Sequence, residues 1–190
     1  MRHVPAVLTA ALLAAAACAD PSRVVEPGGG AALAARTAAT VPDVARRIEM
    51  FDACEPNSFN AVLGEGGCIR AGGVEFAKFL ELLARHGDIG AWHFAPGKVQ
   101  VQVGQSLLAI NRGGEVHTFT EVEHFGGGIV QALNDLTGNP VPAPECLQLQ
   151  GADFIPPGGS TTDDVDEEGT ELYQCCIHPW MRTTVTARGH

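Results

Sequence analysis

Gly169-Thr170-Glu171-Leu172-Tyr173-Gln174-Cys175-Cys176-Ile177-His178-Pro179-Trp180-Met181 reads as a strand running into a short loop, and Arg182-Thr183-Thr184-Val185-Thr186-Ala187 reads as the strand that leaves it. Both flanks are short and rich in Thr, Val, Leu and Tyr, the residues that suit a pleated, half-buried surface. Working outward, the same texture recurs. Trp92-His93-Phe94, Val99-Gln100-Val101-Gln102-Val103, Ser106-Leu107-Leu108-Ala109-Ile110 and His117-Thr118-Phe119-Thr120-Glu121-Val122 are further short runs. They are divided by Pro96-Gly97, Gly104-Gln105 and Asn111-Arg112-Gly113-Gly114, which are turn chemistry. Asp153-Phe154-Ile155, closed by Pro156-Pro157-Gly158-Gly159, adds another run, and Ile129–Leu136 reads as a short helix. Short strands at this spacing predict an all-β domain over residues 91–190, a Greek-key antiparallel β-sandwich.

Upstream the period changes. Val74, Phe76, Phe79, Leu80, Leu82 and Leu83 recur near 3.6 residues and Gly87 follows as a stop, which predicts an amphipathic helix over residues 74–86. Cys54 and Cys68 enclose a loop holding Pro56, Gly64, Gly66 and Gly67, a pattern that reads as a disulfide. Residues 44–90 are thus expected to form an N-terminal helical extension covering an edge or open end of the sheet domain. Residues 18–43 are Ala-, Gly- and Pro-rich, including Gly28-Gly29-Gly30, and read as a flexible tether.

Residues 1–17 have the layout of a secretory signal peptide, with Arg2 ahead of an apolar run from Val7 to Ala17. That run is shorter than the ~20 residues a membrane-crossing helix needs. Ala15-Ala16-Ala17-Cys18 resembles a lipoprotein cleavage site, although Ala15 stands where Leu is usual. Two readings follow: a lipid anchor on Cys18 that supplies the only membrane contact, or cleavage after Ala17 or Ala19 with nothing attached. Both place the protein outside the cytoplasm, periplasmic or extracellular, where disulfides persist.

Across 190 residues, 12 basic side chains stand against 22 acidic ones, for a net charge of −10. Such a balance excludes nucleic acid as a partner and would suit a basic protein. Much of the charge lies in Asp163-Asp164-Val165-Asp166-Glu167-Glu168, which reads as a solvated loop.

The loop carries the chemistry. Cys175, His178 and Met181 have the spacing C-x2-H-x2-M. A soft thiolate, an imidazole and a weak axial thioether are the ligands of a blue-copper electron-transfer centre once a second imidazole joins them. His117, after the Gly113-Gly114 turn, offers that imidazole. Taken singly, His117 would be an ordinary strand histidine and Met181 a core residue; together they point to copper. Cys175 and Cys176 are adjacent, and strand alternation sends them to opposite faces, with Tyr173 on the face of Cys175. His93 and His124 are not at ligand spacing, His86 and His190 read as solvent-exposed, and none of the four is assigned to a site.

Residues Phe94 to Ala187, about half the chain, resemble the cupredoxins, the type I blue-copper proteins of the plastocyanin and amicyanin kind. The resemblance rests on Phe94-Ala95-Pro96 with Val99-x-Val101, on Asn111 to Thr120, on the Gly-Thr-x-x-Tyr-x-Cys strand ending at Cys175, and on a loop spaced as in amicyanin. It implies one type I copper ion held by His117, Cys175 and His178 in a plane with Met181 axial. The family spacing fits only from Cys175. Cys176 then points away toward Cys146 and leaves Cys54 with Cys68, one of the three pairings that four cysteines allow. The resemblance also implies that the His178 ring reaches the surface in an apolar patch beside Pro179 and Trp180, where redox partner proteins dock. The function implied is a one-electron carrier, not an enzyme. A copper storage, delivery or sensing module would use the same ligands, and an adhesive or structural domain would not need all four.

Overall fold

The computed structural model describes residues 44–189. In chain order they form β1 (Val44–Phe51), α1 (Pro56–Leu63), α2 (Phe76–His86), β2 (His93–Ala95), β3 (Lys98–Gln102), β4 (Gln105–Asn111), β5 (Thr120–Val122), α3 (Gln131–Leu136), β6 (Ser160–Val165), β7 (Gly169–Gln174) and β8 (Arg182–Arg188). The expected signal peptide over residues 1–17 and the expected tether over residues 18–43, with Cys18, lie outside the described residues.

The strands make two four-stranded sheets, ordered β2-β1-β4-β6 and β3-β8-β7-β5. Alternation drives both. In β3 only Val99 and Val101 turn inward, and in β8 Thr183, Val185 and Ala187 do, so each strand keeps one face apolar or hydroxylic and one face wet. Ile48 and Met50 of β1 and Leu107 and Ala109 of β4 meet Val99, Val101, Tyr173 and Val185 in one continuous core. Residues from both sheets share that core, as in a β-sandwich.

The all-antiparallel expectation is corrected. β1 runs parallel to β4, with Ile48 opposite Ala109, and β3 runs parallel to β8, with Val99 opposite Val185, so both sheets are mixed. The expected boundary at residue 91 likewise does not mark where the sheets begin, because β1 lies inside the first sheet between β2 and β4. The acidic stretch expected as a loop begins as β6, an edge strand antiparallel to β4 in which Val165 alone is fully buried. Carboxylates on an edge deter pairing with another chain, so the polar composition has a structural use. Residues 153–155 do not form the expected strand; Gly151–Asp153 is a 3-10 turn and Ile155 forms a single bridge with His117.

Between β1 and β2 the chain detours through α1 and α2. Glu55 caps α1 by accepting from the backbone N–H groups of Asn57 and Ser58, at 3.0 and 2.7 Å, and Pro56 takes the first turn, where a missing N–H costs nothing. α2 stops at Gly87, whose φ of 73° is the left-handed conformation of a helix C-cap. Phe59 of α1 and Phe79 of α2 pack on Trp92, with ring centroids 5.9 and 4.9 Å away. The Cys54–Cys68 disulfide ties this detour to the end of β1. These helices thereby cover the end of the sheets that carries His117 and Cys175.

Candidate metal centre

His117 sits just past the turn that follows β4. It is tied to Ile155 by a pair of backbone hydrogen bonds, 3.1 Å from its N–H and 2.8 Å to its carbonyl. The buried Asn111 side chain shapes that turn: its carboxamide oxygen accepts from the Gly113 N–H at 2.9 Å, and its amide donates to the Glu115 and Ile155 carbonyls at 2.7 and 2.9 Å. Cys175 follows β7. Its N–H donates to the Met181 carbonyl at 3.0 Å while the Met181 N–H donates to the His178 carbonyl at 2.9 Å, which folds Cys175 to Met181 into a closed loop. Arg182 pins the loop from outside, donating to the Pro179 carbonyl at 2.7 Å and lying 4.7 Å over the Phe125 ring.

This framework brings three of the four expected residues to one point. The Cys175 sulfur is 3.7 Å from His117 Nδ1 and 3.8 Å from His178 Nδ1, and the three ligand atoms lie within 4.8 Å of one another. All three residues are buried, and so is Met181 on the same loop. The adjacent thiols are also sorted. Cys176 is bonded to Cys146, Cys54 to Cys68, and Cys175 is the free cysteine among the described residues. The Thr118 N–H points at the Cys175 sulfur from 3.4 Å, a weak donor contact that stabilises a thiolate.

Two carboxylates that no sequence spacing announced complete the surroundings. Asp52, at the end of β1, accepts from His117 Nε2 at 2.9 Å and from the N–H groups of Gly114 and Glu115 at 2.8 and 3.0 Å. A Cβ on Gly113 would overlap that carboxylate, so the Gly113-Gly114 turn was the one available sign that something must approach closely there. With the Nε2 proton given to Asp52, the lone pair of a neutral His117 sits on Nδ1 and faces the sulfur, the tautomer a metal ligand requires. Glu115 stands on the other side. Its Oε2 accepts from Trp92 Nε1 at 2.6 Å and lies 3.7 Å from His178 Nε2. Asp52, Cys54 and Glu115 also converge, but Cys54 is in a disulfide and offers no thiolate.

The charges follow from this packing. Burial alone would depress the His117 imidazole, yet the hydrogen bond to Asp52 and the Cys175 sulfur together lift it to about 9. Burial pushes Asp52 up, and the His117 bond with the Glu115 and Gly114 N–H groups outweighs it, bringing the carboxyl down to about 2. Burial would likewise raise the Cys175 thiol, but the two imidazoles hold it well below its ordinary value. The Glu115 carboxyl is raised, chiefly by burial, against the pull of His178 and Trp92.

A depressed acid stabilises the fold above its unfolded value, here 3.8, and that contribution disappears as pH falls through about 2. For Asp52 it amounts to about 2 kcal/mol. In urea unfolding of the metal-free protein, the stability gap between the parent and Asp52→Asn is therefore expected to shrink between about pH 4 and pH 2. A constant gap across that range would show that the pair carries no such charge.

One implied feature is corrected. The His178 ring does not reach the surface: it is 3% exposed, with the Phe79 ring 6.4 Å away edge-on and the Trp180 ring 5.4 Å away. Phe79 belongs to α2, so the helical detour lies over the edge that the resemblance left open. An apolar cleft of ≈ 310 Å³ lined by Phe59, Leu63, Phe76, Phe79, Leu133 and Ile177 runs beside it.

No protein-family model and no curated protein matches the chain. Solved cupredoxins resemble it. A purple cupredoxin from Nitrosopumilus maritimus is 21% identical, over 54% of this chain and 90% of its own, with a TM-score of 0.39. A mutant amicyanin in its Cu(I) form is 22% identical, over 50% and 73%, with a TM-score of 0.35. The oxidised plastocyanin of Dryopteris crassirhizoma is 19% identical, over 51% and 89%, also with a TM-score of 0.35. These are distant likenesses, and the chemistry of the site rests on its own geometry.

Proposed function

We propose that this chain is an exported mononuclear type I copper protein that carries single electrons. The observation that carries the reading is the buried convergence of His117 Nδ1, Cys175 Sγ and His178 Nδ1 around the one free thiol of the described residues. The donor set fits the metal: one thiolate and two imidazoles, with a thioether in the same loop, is a soft to borderline set that suits copper. His117, Cys175 and His178 would hold the ion, and the buried Met181 offers a thioether from the same loop. Copper supplies there the exchange of one electron between Cu(II) and Cu(I).

The chain's own contribution is rigidity. Asp52 orients His117, the Cys175–Met181 hydrogen bonds fix the loop, and the Cys146–Cys176 disulfide braces it from behind. A site that does not rearrange between oxidation states exchanges electrons at low cost. Burial of all three ligands favours the carrier over the delivery reading, since handing a metal to an acceptor requires the acceptor's ligands to reach it. Two disulfides support export. No described helix is long and apolar enough to cross a membrane. The partners proposed are redox proteins.

The test is the visible spectrum of the Cu(II)-loaded protein. The parent and Cys176→Ser are expected to show an intense thiolate-to-copper band and Cys175→Ser to lose it. A parent without the band would sink the electron-carrier reading. A band surviving in Cys175→Ser would move the ligand to another sulfur.

A further inference from the structure

We infer that Glu115 is a positioning residue for His178 and that its carboxylate, with that of Asp52, lowers the reduction potential of the bound copper. The inference rests on the copper reading above and concerns a residue that this reading does not use. Each imidazole of the cluster has its own buried carboxylate on the nitrogen facing away from the sulfur. His117 Nε2 is 2.9 Å from Asp52 and His178 Nε2 is 3.7 Å from Glu115. The second distance is longer than a hydrogen bond but short enough for the carboxylate to act on the ring through its charge.

Glu115 is not there by accident of a flexible side chain. It is 6% exposed and held at three points: its N–H donates to Asp52 at 3.0 Å, its carbonyl accepts from Asn111 at 2.7 Å, and its Oε2 accepts from Trp92 Nε1 at 2.6 Å. Trp92 is itself fully buried, stacked on Phe59 and packed against the tilted ring of Phe79. The indole thus spends its single donor on this carboxylate and aims it at the His178 ring. One short segment, Gly113 to His117, therefore supplies a ligand, the partner of the other imidazole, and two of the N–H groups that hold the partner of its own.

The electrostatic consequence has a definite sign. With a thiolate bound, Cu(II) leaves a net charge of +1 and Cu(I) leaves zero, and two buried carboxylates make these −1 and −2. Adding an electron to the more negative shell is less favourable, so the pair stabilises Cu(II) and lowers the potential. In a buried site water screens little of this. Partners fixed on the outer nitrogens also hold imidazoles in ligating orientation through a change of metal charge.

The experiment is redox titration of the full copper-loaded chain, comparing the parent with Glu115→Gln, which keeps an acceptor for Trp92 and the shape of the side chain. The potential is expected to rise by at least a tenfold shift in the Cu(I):Cu(II) ratio, 59 mV for a one-electron couple. The thiolate band should keep its position, which a merely structural role for Glu115 would not combine with a moved potential. Glu115→Asp keeps the charge and draws it back by one methylene; a smaller rise of the same sign is expected, and this variant is the test should Glu115→Gln fail to fold. A ratio changed less than twofold in the folded variant, with its band intact, would overturn the inference. A parent lacking the band would instead overturn the copper reading beneath it.

Discussion

Asp52→Ala is expected to cost the metal-free protein about 4 kcal/mol and to lower its melting temperature by roughly 10 °C. Its side chain is 1% exposed and accepts from His117 Nε2, Gly114 N–H and Glu115 N–H, so truncation strands these three buried donors at once. Replacing both partners of a buried pair can be nearly neutral, whereas deleting one leaves the full desolvation penalty of the other. The metal should feel the loss too. Without an acceptor on Nε2, His117 is free to change tautomer and ring orientation, and Cu(II) affinity is expected to fall about 10–100-fold. Chemical unfolding and competitive metal titration measure the two effects separately. A stability change below about 1 kcal/mol would mean that water replaces the carboxylate at no cost.

Gly128→Ala is expected to destabilise by about 3 kcal/mol although it adds only one methyl group. A Cβ there would overlap the carbonyl of Cys176, the residue after Cys175. That carbonyl already accepts from the Ile129 N–H at 2.7 Å, and Gly128 is clasped by the buried Asn134, whose side chain accepts from its N–H at 2.7 Å and donates to its carbonyl at 2.8 Å. The clash is backbone against side-chain root, so no rotamer relieves it and the segment or the metal loop must shift. The expected readout is a lowered unfolding midpoint together with an altered thiolate band. Parent-like values of both would show that the loop yields without strain.

The residues of the proposed site were legible because they are local. Cys175, His178 and Met181 fall within seven residues, and His117 follows a double-glycine turn. β3 and β8 were legible because their inward faces alternate cleanly. β1 was not: Arg46 and Arg47 break its apolar face, and its parallel partner β4 begins more than fifty residues later. β6 was hidden by its composition, since an edge strand can be polar on nearly every residue. α1 was read as loop on account of Pro56 and Gly64, which mark its first turn and its C-cap. Asp52 and Glu115 were beyond any spacing rule. Asp52 is 65 residues from the imidazole it orients, and the face of Glu115 depends on Trp92, 23 residues earlier.

The place of β1 also sets the order in which the molecule can assemble. It is the first described strand to leave the ribosome, yet it occupies an interior position in its sheet and waits for β2 and β4 on either side. Asp52, at its end, must then meet His117, and His117 must meet Cys175, 58 residues further on. Contacts of such separation close late and slowly. The cluster of His117, Cys175 and His178 is thus among the last parts of the chain to come together.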